Sequence, residues 1–179
     1  MILLSVDLFA QINSDKYWPT SIQREFDKCV KEQKMDTLLV YYSYLGPWTN
    51  LPDSCKGISS FWILWIKDNC FYTKQLRCDS IKTGNIQSIS SRPFDYLITH
   101  KKDFKLRDQY FKTNRFLPPI STDGSWQYLS FMTSKNKIFF NLSEHQRNDT
   151  IWNQFHWIKP TIELIDLTVN ELYENKNRH

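Results

Sequence analysis

Residues 60–77 read Ser60-Phe-Trp-Ile-Leu-Trp-Ile-Lys67-Asp68-Asn69-Cys70-Phe-Tyr-Thr-Lys-Gln-Leu-Arg77. Two runs rich in aromatic and β-branched residues flank an Asp-Asn pair, the pattern of two strands joined by a two-residue turn. Such a turn needs left-handed backbone at its centre, which Asn adopts more readily than most residues, although the usual glycine is missing. The stretch therefore predicts a tight antiparallel hairpin.

The rest of the chain extends this pattern. A second hairpin is expected over 126–133 (WQYLSFMT) and 137–142 (KIFFNL), turning at Ser134-Lys135-Asn136. Its first arm alternates Trp126, Tyr128, Ser130, Met132 with Gln127, Leu129, Phe131, Thr133. Neither set is cleanly polar, so this strand should be covered on both sides. Residues 37–45 (TLLVYYSYL) form another predicted strand, ended by Gly46-Pro47. Residues 20–34 place Ile22, Phe26, Cys29 and Val30 on one helical stripe. Pro19 stands at the entrance, and Thr20 with Gln23 suits a capping box. A short helix is expected over 93–104 after Ser91, with Phe94, Leu97 and Ile98 inward. The segment 161–175 reads in two ways. It is one helix with Ile162, Ile165, Val169 and Leu172 inward, or a strand over 162–167 followed by a helix capped by Thr168 and Glu171. Together these predict one α+β domain over 1–179, a mainly antiparallel sheet built from hairpins with helices packed on one side.

Composition narrows the function. The chain has seven Trp, nine Tyr and twelve Phe, against one alanine (Ala10) and four glycines. Glycine-rich phosphate loops need backbone freedom that so few glycines can hardly supply, whereas large rigid aromatics dominate cores and binding interfaces. This balance leans toward binding. No run of residues reaches the roughly 18 apolar positions of a membrane span. The opening Met1-Ile-Leu-Leu-Ser-Val-Asp-Leu-Phe-Ala-Gln-Ile12 is interrupted by Asp7 and lacks a basic start and a cleavage site, so it reads as a buried strand or short helix. Cys29, Cys55, Cys70 and Cys78 show no C-x-x-C pair and no zinc-finger spacing. They are expected as free buried thiols, since a Cys70–Cys78 or Cys55–Cys78 bridge would require an oxidising compartment. A cytoplasmic protein is the expectation.

No H-E-x-x-H, G-x-S-x-G or Walker motif is present. No His or Cys pair has metal-ligand spacing, so neither a metal nor a cofactor is called for, and no catalytic residue is assigned. His145 beside Glu144 and Arg147, or His156 among Trp152, Phe155 and Trp157, could serve a metal-independent nuclease or transferase. A polar loop and a packed histidine explain the same residues. The densest basic run holds Lys101, Lys102, Lys105, Arg107, Lys112 and Arg115, interleaved with Phe104, Tyr110, Phe111 and Phe116. Cations and aromatics in that mixture can hold a nucleic-acid backbone and stack bases. A solvated surface in a lysine-rich chain looks the same.

A chain of under 200 residues of AT-rich composition, with hairpins such as Phe61-Trp-Ile-Leu-Trp-Ile66 and Trp126-Gln-Tyr-Leu-Ser-Phe131 and no catalytic constellation, resembles the small immunity proteins of bacterial polymorphic-toxin and contact-dependent inhibition systems. The resemblance implies a cytosolic protein that binds one cognate toxin domain, often a nuclease, without catalysis or membrane association. Such an interface needs aromatic anchors and a charged rim. Trp48, Trp126 and Trp152, at predicted loops or element ends, are the candidate anchors. Glu144, Glu163, Asp166 and Glu171 are the candidate rim. The alternative is an RNA or single-stranded nucleic-acid-binding module using Lys101, Lys102, Lys105, Arg107 and Tyr110. Against the inhibitor reading stands the net charge of +4, since inhibitors of nucleases are commonly acidic.

Overall fold

The computed structural model describes residues 18–45, 53–55, 57–78, 84–104, 124–134 and 137–174. Six strands form one sheet: β1 (Thr37–Tyr44), β2 (Ile58–Lys67), β3 (Cys70–Leu76), β4 (Gln87–Ser88), β5 (Trp126–Thr133) and β6 (Lys137–Ser143). Their order is β4-β3-β2-β1-β5-β6, and every neighbouring pair is antiparallel. Among the described residues four α-helices accompany it: α1 (Thr20–Gln33), α2 (Arg92–Thr99), α3 (Glu144–Asn148) and α4 (Ile158–Glu174). This is the α+β class expected, and both predicted hairpins are present. Asp68 and Asn69 take φ of 51° and 59°, the left-handed pair that a two-residue turn requires.

The helices occupy both faces, not one. In β1, Leu39 and Tyr41 point into one core while Leu38, Val40 and Tyr42 point into another. α1 covers the second with Ile22, Phe26, Cys29 and Val30. α2 and α4 cover the first with Phe94, Leu97, Leu164, Ile165 and Leu172. The cause lies in β1 and β2. Leu38 to Tyr42 and Phe61 to Trp65 are all buried, so both pleat directions carry large apolar groups and each face needs a lid. The expected two-sided cover of β5 holds over Leu129, Ser130, Phe131 and Met132, all buried, whereas Trp126, Gln127 and Tyr128 are half-buried.

Several local expectations change. α1 has Pro19 at its N-cap position and no side-chain cap, so the Thr20–Gln23 box does not form. A full capping box forms at α3 instead, where Ser143 Oγ accepts from Gln146 N and the Gln146 side chain accepts from Ser143 N. Ile98 stands 62% exposed, because α2 ends at Thr99 and only Pro93, Phe94 and Leu97 reach the core. The tail is a single helix that starts at Ile158, earlier than expected. Pro160 is tolerated in its first turn, where its missing N–H costs nothing. Thr161 and Thr168 keep it continuous while buried by donating to the carbonyls of Trp157 and Leu164, each at 2.7 Å.

The cysteines also differ from the free-thiol expectation. Cys55 and Cys78 form a disulfide, with Cα atoms 5.5 Å apart, while Cys29 (buried) and Cys70 (exposed) are free. Antiparallel pairing decides the partner: Cys70 opens β3 and Cys78 lies just past its end, roughly 25 Å apart at about 3.3 Å per residue. Among the described residues no helix is long and apolar enough to cross a membrane. The opening segment 1–12 lies outside the described residues.

Candidate docking surface

Strand alternation places Trp126 and Tyr128 of β5 on the α1 side of the sheet, in line with Tyr42 of β1 and Phe61 of β2. Tyr42 stacks on Phe61 with ring centroids 5.6 Å apart and on Tyr128 at 4.7 Å, both nearly parallel. Tyr128 continues to Phe139 of β6 at 5.8 Å and to Trp126 at 6.3 Å. One aromatic row thus crosses β2, β1, β5 and β6.

Its two ends differ in cover. Phe61 is buried beneath Trp18 (4.7 Å) and Phe26 (6.4 Å). Beyond Tyr42 the row opens: Trp126 and Tyr128 are half-buried, and Phe139 is 38% exposed beside exposed Asn141. Rings already held in a stack lose little freedom when a partner covers them, which favours them as anchors. Glu144 borders this open end. Trp126 faces Ser143 across the β5–β6 ladder, and Glu144 follows at once. Its carboxylate accepts from Ser125 Oγ at 3.1 Å, and its N–H donates to the Ser125 carbonyl.

Two other expected rim charges, Glu163 and Asp166, lie elsewhere, on the outer side of α4. They line a shallow groove of about 370 Å³ with Lys159, Ile162, Leu167 and Asn170. Glu163 accepts from the Tyr96 hydroxyl at 2.9 Å. Burial first, and then the adjacent Glu163 carboxylate, push the Tyr96 phenol well above its ordinary value. Asp166 is engaged by Arg147 at 2.7 Å; Arg147 also donates to Gln127 at 2.9 Å, and Gln127 donates to the Tyr41 hydroxyl at 3.1 Å. Burial raises the Tyr41 phenol, opposed by the Gln127 hydrogen bond. This chain of contacts ties β1, β5, α3 and α4 together, so Asp166, itself half-exposed, braces the fold through Arg147.

Two assigned roles are corrected. Trp152 is fully buried in the α4-side core, 5.4 Å from Phe155, because a short 3-10 helix (Thr150–Gln154) turns it inward. A tryptophan without access to solvent cannot anchor a partner. Glu171 is 9% exposed and faces inward: its carboxylate accepts from Ser90 N (3.1 Å) and from Ser90 Oγ, fastening the β4–α2 connection to α4. Trp48 lies outside the described residues, as do Lys105, Arg107 and Tyr110 of the basic run. Lys101 and Lys102 are exposed in the turn after α2. Phe104, from the same run, is buried against Phe140 at 4.7 Å and belongs to the core. His145 lies 3.6 Å from Asp149 one helical turn on, and His156 is exposed while Phe155 and Trp157 beside it are buried. Among the described residues no three His, Cys, Asp or Glu side chains gather as a metal site.

Tyr128 and Phe139 were not among the sequence candidates. Tyr128 could have been found from its period-two spacing to Trp126, but Phe139 joins the row only through the β5–β6 register. No protein-family model matches the chain, and no curated protein is significantly similar to it.

Proposed function

We propose that this chain is a protein-binding inhibitor, an immunity-type domain that neutralises a cognate protein toxin by covering part of its surface and performs no chemistry of its own. The observation that carries this reading is the aromatic row, stacked and buried at Phe61, half-buried at Trp126 and Tyr128, and exposed at Phe139. Rigid aromatics at the centre with a carboxylate (Glu144) at the border match the anatomy of a protein interface. The same rings could stack bases, but the described cations of the basic run are poorly placed to help. Lys101 and Lys102 follow α2, which packs on the opposite face of the sheet. A nucleic-acid strand could not use that surface and those lysines in one short contact, so the geometry favours a protein partner.

The test is capture of the tagged chain and the Phe139→Asp variant from the native host in high salt. Both are first shown by circular dichroism and urea unfolding to be equally folded. One stoichiometric protein held by the parent, and reduced at least tenfold by the variant, is the expected result. Equal retention by both chains would remove the aromatic surface from the interface. RNA that washes away as salt rises would move the function to nucleic acid.

A further inference from the structure

The connection between β1 and β2 carries Cys55, 1% exposed, in a short 3-10 helix (Asp53–Cys55). Cys78, just past β3, packs against the α1-side core and accepts at its sulfur from Ser21 Oγ in the first turn of α1, at 3.8 Å. The disulfide between them joins the β1–β2 connection to the exit of β3, and the Ser21 hydrogen bond adds the start of α1. The two remaining cysteines lie apart from it. Cys29 is buried within α1, and Cys70 sits at the far end of β3.

We propose that Cys55–Cys78 is a structural cross-link made during maturation, and that the protein acts in an oxidising compartment, not in the reducing cytosol. Cytosolic thiol pools keep such pairs reduced, whereas export compartments form and retain them. In the step that makes it, the two thiols lose two protons and two electrons and one S–S bond forms. The acceptor is a disulfide-bearing oxidoreductase, whose own S–S bond is cleaved to two thiols. Once formed, the bond offers dissolved thiols only the half-buried sulfur of Cys78, since Cys55 is buried. The cross-link closes a loop around the whole β2–β3 hairpin, the element on which the α1-side core is laid. The proposal does not depend on what the aromatic surface binds, and it replaces the cytoplasmic location expected from the sequence.

Thiol trapping of the full chain tests it. Native cells are quenched in acid, and the denatured chain is alkylated before and after reduction. Two cysteines, Cys29 and Cys70, should label before reduction, and Cys55 and Cys78 only after it. Four labelled cysteines before reduction would overturn the proposal. A second measurement follows urea unfolding of the purified oxidised chain, the reduced chain and the double variant Cys55→Ser/Cys78→Ser. Closure of a loop of this length predicts a folding equilibrium constant lower by roughly 300-fold in the reduced chain. The double variant should match the reduced chain and be indifferent to reductant. Oxidised and reduced chains of equal stability would show that the bond holds nothing together.

Discussion

Phe139 and Phe140 are adjacent in β6, and the structure assigns them opposite roles. Phe140 is 2% exposed in the α4-side core and meets Phe104 edge-on at 4.7 Å, whereas Phe139 is 38% exposed at the open end of the aromatic row. Truncation to alanine should separate them. Phe140→Ala removes a fully buried ring and leaves a cavity, which costs about 3–5 kcal/mol. Phe139→Ala loses only the covered part of its ring. With full burial of such a side chain contributing about 1.5–3 kcal/mol, the expected cost is about 1 kcal/mol. Equilibrium urea unfolding followed by tryptophan fluorescence, with the disulfide kept oxidised, measures both. At a slope of about 2 kcal/mol/M, Phe140→Ala should lower the midpoint by roughly 2 M and Phe139→Ala by roughly 0.5 M. A one-residue slip of β6 would exchange the two faces. Equal losses, or a larger loss at Phe139, would refute the register and with it the exposed surface.

Three further outcomes follow from the same contacts. Glu171→Ala strips the carboxylate from Ser90 N and Oγ, so unfolding should show a loss of about 1–3 kcal/mol from the orphaned donor; no change would mean Glu171 is not what fastens the β4–α2 connection. Burial pushes the Cys29 thiol up, ahead of opposing attraction from Lys74, so alkylation of the native oxidised chain at neutral pH should label Cys70 and spare Cys29; mass spectrometry of the labelled peptides decides it. The Tyr41 phenol is raised by burial, so the folded state favours its protonated form. That contribution to stability is complete below the ordinary tyrosine value near 10 and is lost as pH climbs through the folded one. Phenolate absorbance should therefore show a late-ionising group that Tyr41→Phe removes, and a titration unchanged by that substitution would contradict its burial.

Much of the fold was readable where the signal was local. The Asp68-Asn69 turn, the 22–26–29–30 stripe of α1 and the β5–β6 hairpin depend on residues a few positions apart. Capping was less legible, because Thr20–Gln23 and Ser143–Gln146 carry similar chemistry. At α1 the N-cap position is taken by Pro19, which has no acceptor side chain, whereas at α3 it is taken by Ser143. Trp152 and Glu171 show why site residues were harder. Each side chain suits a surface by type, but which way a 3-10 turn or a helix faces depends on what packs above it.

By itself the sequence determined the two hairpins, the α1 stripe, the antiparallel class and a large supply of aromatics, because these follow from local spacing and composition. Tertiary structure alone decided that helices cover both faces, that Cys55 meets Cys78, and that rings from four strands line up and emerge at Phe139. The reason is physical. Strand order and register bring together residues separated by 14 to 96 positions, and no local propensity encodes which of those encounters will leave a surface uncovered.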